Sequence, residues 1–133
     1  MKRRLVRRDL GSLAGFAIAV CFFGLAAGCA TTQSRYEFLA DHYEARAADA
    51  PVEVFRSGLP QVPFKRIARL DVHLERSGFM KPTFEEALPE LKKQARQAGA
   101  DAIIEIEERP SQILETMVLH VTATGARYTS AHP

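Results

Sequence analysis

Cysteine is scarce and confined in this chain. Of 133 residues only Cys21 and Cys29 carry a thiol, so everything beyond residue 29 is without disulfides, thiol nucleophiles or Cys-ligated metal sites. An excess of charge is missing as well: the formal net charge is +2, and it is unevenly placed. Residues 1–28 hold five basic side chains (Lys2, Arg3, Arg4, Arg7, Arg8) against Asp9, leaving 13 basic and 15 acidic residues in the remainder. That remainder lacks the clustered cations that nucleic acid requires, so no nucleic-acid partner is expected. Also absent are a Gly-rich phosphate loop, a Gly-x-Ser-x-Gly elbow and a His-Glu-x-x-His pair, and the expectation is a non-enzymatic protein with no cofactor and no metal centre. With 47% hydrophobic and 26% charged residues, the composition is that of a globular chain with room for one small domain.

What is present begins with a leader. The basic start is followed by Leu10 to Gly28, a run whose polar side chains are Ser12 and the thiol of Cys21, the outline of an export signal. It ends in Leu25-Ala26-Ala27-Gly28-Cys29, which resembles the lipobox of bacterial lipoproteins. The resemblance implies cleavage between Gly28 and Cys29 and attachment of diacylglycerol to the Cys29 sulfur. Ala26 stands where that family most often has Leu. Two or more acyl chains, at roughly 0.8 kcal/mol per buried methylene, hold a protein stably on a membrane. Ala30, not Asp, implies by the same resemblance sorting to the outer membrane, facing the periplasm. Arg7-Arg8-Asp9-Leu10 resembles a twin-arginine export signal and bears on the route only. The competing reading keeps the run as a membrane-spanning helix, but Gly11, Gly15 and Gly24 dilute it below the roughly 20 apolar residues a span needs.

Beyond Cys29, residues 29–50 read as a tether. Tyr36, Leu39, Tyr43 and Ala47 recur at helical spacing, which predicts a short amphipathic helix over 35–48; a flexible spacer is the equally open alternative. A globular domain is expected over 51–127, with 128–133 as a frayed tail. Val52 to Arg56 reads as a short strand, and Lys65 to Glu75 as an alternating one, with Ala68, Leu70, Val72 and Leu74 inward and Arg69, Asp71, His73 and Glu75 outward. A helix follows. Thr83 and Glu86 form a capping box, Phe84, Ala87, Leu88, Leu91, Ala95 and Ala98 make one apolar stripe, and Gly99 provides the C-cap. Pro89 should kink this helix or mark a second start. Asp101 to Glu107 reads as a strand with Ile104 and Ile106 on one face and Ile103, Glu105 and Glu107 on the other. Arg109 to Gln112 is expected to turn the chain, and Ile113 to Thr124 to form the longest strand, with Gly125 ending it. The result is an α+β fold: one small sheet, in sequence order β-β-α-β-β, with a single amphipathic helix packed on one face.

The helix and following strand, Ala87-Leu88-x-x-Leu91-Lys92-Lys93-x-Ala95-Arg96-x-Ala98-Gly99-Ala100-Asp101-Ala102-Ile103-Ile104, resemble a family of small bacterial envelope proteins that includes uncharacterised lipoproteins, the YbjQ-like domains and, more distantly, the Rcs envelope-stress sensor lipoprotein. The resemblance spans about residues 52–127 and implies the fold rather than an activity. The Rcs sensor is disulfide-stabilised and this domain has no cysteine, so a sensor role does not carry over. No ligand pattern of the YbjQ-like domains can be placed on these residues.

Among side chains able to do chemistry, His73 and His120 both fall on the outward faces of their strands, and Glu105 or Asp71 could complete a ligand site if those strands are neighbours. Glu105, Glu107 and Glu108, with Glu115 across the expected turn, form an acidic group; paired carboxylates serve as acid and base where burial splits their pKa values, whereas adjacent Arg109 argues for solvated charge. Lys92, Lys93 and Arg96 read as a helix surface. These observations favour an interaction or structural module on the membrane, binding an envelope protein or its own copies by a sheet edge or face. A small-molecule or metal-binding module, with stress sensing among its roles, is the alternative. The anchor is directly testable: Cys29→Ser should leave an unprocessed precursor without acyl label, and equal incorporation of labelled fatty acid in that variant would remove the assignment.

Overall fold

The computed structural model describes residues 30–39 and 41–130. The leader, Gly28 and Cys29 therefore lie outside the described residues. The fold is α+β: one five-stranded mixed sheet carrying a single helix. In chain order the elements are β1 (Ala30–Phe38), β2 (Glu53–Val54), β3 (Phe64–Arg76), α1 (Phe84–Ala98), β4 (Ala102–Ile113) and β5 (Thr116–Tyr128). The sheet order is β1-β3-β5-β4-β2.

The first difference from the sequence reading is β1. Residues 30–38 are neither tether nor helix but an edge strand paired antiparallel with β3 over nine positions, from Ala30 opposite Arg76 to Phe38 opposite Ala68. The apolar residues that matter are Tyr36 and Phe38, two apart and both half-buried against the core, which is a strand period and not a helical one. A second difference is β2. It does not form a hairpin with β3 but lies at the opposite edge, parallel to β4. The expected parallel crossover does occur: β3 and β4 are each antiparallel to β5, which lies between them, and α1 makes the connection.

The helix forms where the capping residues place it. Glu86 turns its carboxylate back to accept the Thr83 backbone N–H at 3.1 Å, and Gly99 closes the other end in the left-handed region at φ 82°. One helix runs unbroken through Pro89, so this residue is not a second start. Its ring is exposed, and the loss is confined to one backbone donor near the first turn. Phe84, Ala87, Leu91, Ala95 and Ala98 are buried against Ala68, Leu70, Val72 and Leu74 of β3 and Leu119, Val121 and Ala123 of β5. Each large side chain removed from water here is worth about 1.5–3 kcal/mol.

Two bulges alter the expected alternation. One lies between Arg66 and Ala68 of β3. The other lies in β4, where three steps from Ile104 to Glu107 oppose two on β5, and Glu105 takes φ 52°. The bulge puts Ile103 and Ile106 with the helix-side core, and Ile104 on the other face with Ala102 and Ala126. Because β4 continues to Ile113, Arg109 to Gln112 are strand, and the chain reverses only at Leu114 and Glu115. Gly125 does not end β5. Its missing Cβ lets Ala100 pack close, since a Cβ there would come within 3.2 Å of the Ala100 methyl. The strand runs on to Tyr128 because the Asp101 carboxylate accepts the Tyr128 N–H at 2.8 Å and the Thr129 N–H donates to the Pro63 carbonyl at 3.0 Å.

Residues 41–51 pack back on the helix C-terminus. The Arg46 N–H donates to the Arg96 carbonyl at 2.8 Å, and the Arg46 guanidinium donates to the carbonyls of Pro51 and Ala100 and pairs with Asp101 at 3.2 Å. A Cβ on Gly99 would lie 2.7 Å from the Glu44 carbonyl oxygen and 2.8 Å from the Tyr43 Cβ. Gly99→Ala is therefore expected to cost about 2–4 kcal/mol in urea unfolding, from left-handed backbone plus collision. Gly78→Ala, also at positive φ (70°) but with nothing within 4 Å, should cost about 1 kcal/mol; equal losses would contradict the close approach of residues 43–44.

Candidate functional site

With α1 covering one face of the sheet, the other is largely polar, apart from the corner where Ala102, Ile104 and Ala126 are buried under Phe55, Phe64 and Tyr128. The registers of β1, β3, β5 and β4 align the side chains of this face in transverse rows: Gln33, His73, His120 and Arg109 in one, Arg35, Asp71, Thr122 and Glu107 in the next, then Glu37, Arg69, Thr124 and the apolar Ile104. Strand neighbours on one face stand about 5 Å apart, so each row spans the four long strands. Arg109 is the one fixed charge of the first row, Arg35 stands with Asp71 and Glu107 in the second, and Glu37 stands beside Arg69 in the third.

At the centre, His73 and His120 face each other directly across β3 and β5, with ring centroids 5.9 Å apart. His120 Nε2 lies 2.8 Å from Asp71 Oδ2, and His73 Nε2 lies 2.9 Å from Glu75 Oε1. A carboxylate only accepts, so each of these nitrogens carries the donated proton. The sequence-derived pair is thus assembled, with Asp71 as the third member and not Glu105. Among the described residues no group of three or more His, Cys, Asp or Glu side chains is disposed to hold a metal ion. An open cleft of about 360 Å³, lined by Gln33, Arg35, Asp71, His73 and His120, lies over the pair.

Glu105 sits in the β4 bulge next to the Ile104–Thr124 pair, two rows from the Arg109–His120 pair, and forms a two-pronged ion pair with Arg66, its Nε at 2.9 and 3.1 Å from the two carboxylate oxygens. The guanidinium hydrogen bonds hold its carboxyl below the usual carboxylate range, and burial opposes them only in part. The other acids are matched similarly. Glu107 pairs with Arg109 at 2.7 Å and Glu108 with Arg56 at 2.7 Å, while Glu115 sits in the distant β4–β5 turn and does not join them. The adjacent cleft of about 470 Å³ is bounded by Leu39, Arg69, Glu105, Glu107, Arg109 and Thr124. Of the helix cations, Lys93 lies 3.5 Å from Glu90 and Arg96 donates to the Ala50 carbonyl at 3.4 Å.

Sequence reasoning missed Gln94, which is 2% exposed. From the helix it reaches β3, donating to the Asp71 carbonyl at 2.8 Å and accepting the Asp71 N–H at 3.0 Å. It thereby fixes the backbone that presents the Asp71 carboxylate to His120. The available signal was a polar residue seven positions after Ala87 and three after Leu91, inside an apolar stripe. Also unforeseen is the corner behind the Gly-Ala-Asp-Ala segment, a cleft of about 410 Å³ among Arg46, Glu53, Asp101, Arg127 and Tyr128. There Tyr128 donates its hydroxyl to Glu53 at 2.9 Å.

No family model and no curated protein matches this chain. Among solved structures, the crystal structure of a Francisella virulence factor, FvfA, in its orthorhombic form is similar, at 18% identity and a TM-score of 0.46. The match covers 70% of this chain and 97% of that one. A likeness at that distance transfers no chemistry.

Burial, followed by the bond to Glu53 and the charges of Glu53 and Asp101, pushes the Tyr128 phenol up to about 12. A raised acid pKa favours the protonated fold, so its contribution is complete below the unfolded value of 10.0 and fades as pH rises towards 12. Stability should fall across that window by less than about 1.4 kcal/mol per pH unit for this group. Tyr128→Phe should flatten the slope in alkaline urea titrations; an unchanged slope would contradict the assignment.

Proposed function

We propose that this protein is a lipid-anchored module of the bacterial envelope, facing the periplasm from the outer membrane and held through Cys29. It acts by binding and not by catalysis, presenting the open sheet face to an envelope protein or to a second copy of itself. The observation that carries the reading is that face: over β1, β3, β5 and the second half of β4 it is covered by no helix or strand among the described residues, and it is set with charges of both signs, Arg35, Glu37, Arg69, Asp71, Glu107 and Arg109.

The electrostatics support recognition more than acid–base work. A general acid or base needs a proton affinity tuned towards neutral pH, whereas Glu105 is held ionised by Arg66, and Glu107 and Glu108 are each matched by an arginine. Such a surface selects partners by charge complementarity, where misplaced like charges cost several kcal/mol. The lipobox resemblance at Leu25 to Cys29 and the envelope-protein resemblance around Gly99-Ala100-Asp101-Ala102 agree with that location.

Arg69 lies between two of the clefts and is exposed. Arg69→Glu should leave folding and acylation intact yet reduce recovery of a crosslinked envelope partner, or sedimentation as a dimer, on the order of tenfold or more. Recovery and sedimentation both equal to the parent protein would remove the open face from the account.

A further inference from the structure

One end of the sheet is apolar where the open face is not. Ala30 pairs with Arg76, Arg76 with Met117, and Met117 with Gln112, so the start of β1, the end of β3 and the β4–β5 turn share that end. Beyond this row project Phe79, Met80, Ile113 and Leu114, at 64, 59, 65 and 88% exposure. They are four of the six exposed large hydrophobics among the described residues, the others being Leu39 and Leu59.

The arrangement is built and not a frayed edge. The Phe79 N–H donates to the Glu115 carbonyl at 3.1 Å, tying the β3–α1 loop to the β4–β5 turn. Phe79 and Leu114 are held at φ 62° and 55°, a backbone conformation that large side chains seldom adopt; at Leu114 it is the one that a two-residue hairpin turn requires. The flanks are polar: Lys81 is exposed beside Met80, and Gln112 and Glu115 border Ile113 and Leu114. An apolar tip with a polar collar is the form of an interfacial membrane contact, where Lys can keep its ammonium among headgroups while its stem lies along apolar surface.

The occupant follows from the chain itself. Ala30 is already paired in the sheet, and Cys29 is joined to it by one peptide bond, so the two Cα atoms are about 3.8 Å apart. Acyl chains on Cys29 would enter the bilayer from this end, without slack. We propose that Phe79, Met80, Ile113 and Leu114 form a membrane-docking tip that inserts into the bilayer surface beside the lipidated Cys29. The inference rests on the lipid-anchor reading. It stands the strands on the membrane, turns the open face sideways, and lifts the far end of the 13-residue β3 roughly 40 Å above the bilayer.

The chain contains no tryptophan, so a single introduced one reports its own surroundings. Full-length Leu114→Trp, Phe79→Trp and, at the opposite end, Lys65→Trp would be isolated after processing and weighed to establish acylation of Cys29. Each would then be reconstituted into phosphatidylethanolamine–phosphatidylglycerol vesicles with or without brominated acyl chains. Acylated protein should show blue-shifted emission quenched on the order of twofold at positions 79 and 114, with little change at 65. Acylated protein quenched no more at 79 and 114 than at 65 would overturn the tip, whether those residues then serve a protein partner or none. A mass lacking acyl groups would instead overturn the anchor, and the tip with it.

Discussion

The pairing of Ala30–Phe38 with β3 is the constraint on which the other features depend. Without it β3 would be an edge strand, and the outward row of Arg69, Asp71, His73 and Glu75 would border solvent instead of lying inside a four-strand face. With it, Gln33, Arg35 and Glu37 are added to that face, and Tyr36 and Phe38 close the side of the helix-covered core. The same pairing removes any spacer between Cys29 and the domain. An anchor at Cys29, as proposed, would therefore orient the whole sheet.

A second lock keeps the intervening segment in place. Asp101 is engaged from three directions, accepting from Arg46 and from the Tyr128 N–H through its carboxylate, and donating its own N–H to the Ala126 carbonyl. Gly99 allows residues 43–44 to approach the helix end, and Arg127 stacks over Tyr43 at 4.9 Å while donating to the Gly99 carbonyl. The Gly-Ala-Asp-Ala segment thus joins helix, β2, β5 and the incoming chain at one corner. Most of these contacts are backbone-directed, so the segment serves architecture.

Much of the fold was legible in the sequence. The capping pair Thr83 and Glu86, the stripe from Phe84 to Ala98 and the Gly99 cap locate the helix to within a residue, and the alternation in β3 and β5 puts His73 and His120 on the open face. Legibility failed where local pattern was outweighed by tertiary partners. Tyr36, Leu39 and Tyr43 fit a helix by spacing alone, but β3 offered nine backbone pairings. Arg109-Pro110-Ser111-Gln112 has turn composition, yet lies along a strand whose outer edge beyond Ile103 has no strand partner among the described residues, where proline is tolerated. The β4 bulge shifted the face of the residues after Ile104, and the register set Glu105 two rows from the histidines, neither of which local alternation discloses. Gln94 went unnoticed because its partner is backbone, and a backbone group leaves no mark on composition.

Whether residues 30–38 belong to the domain or merely lead to it is the question that decides between these views, and amide hydrogen exchange of the protein answers it directly. In a paired edge strand alternate amides of β1, those directed at β3, should be protected by at least about a hundredfold over unstructured chain. Exchange at unstructured rates throughout residues 31–38 would make the segment a tether, free the sheet from the proposed anchor, and contradict the account.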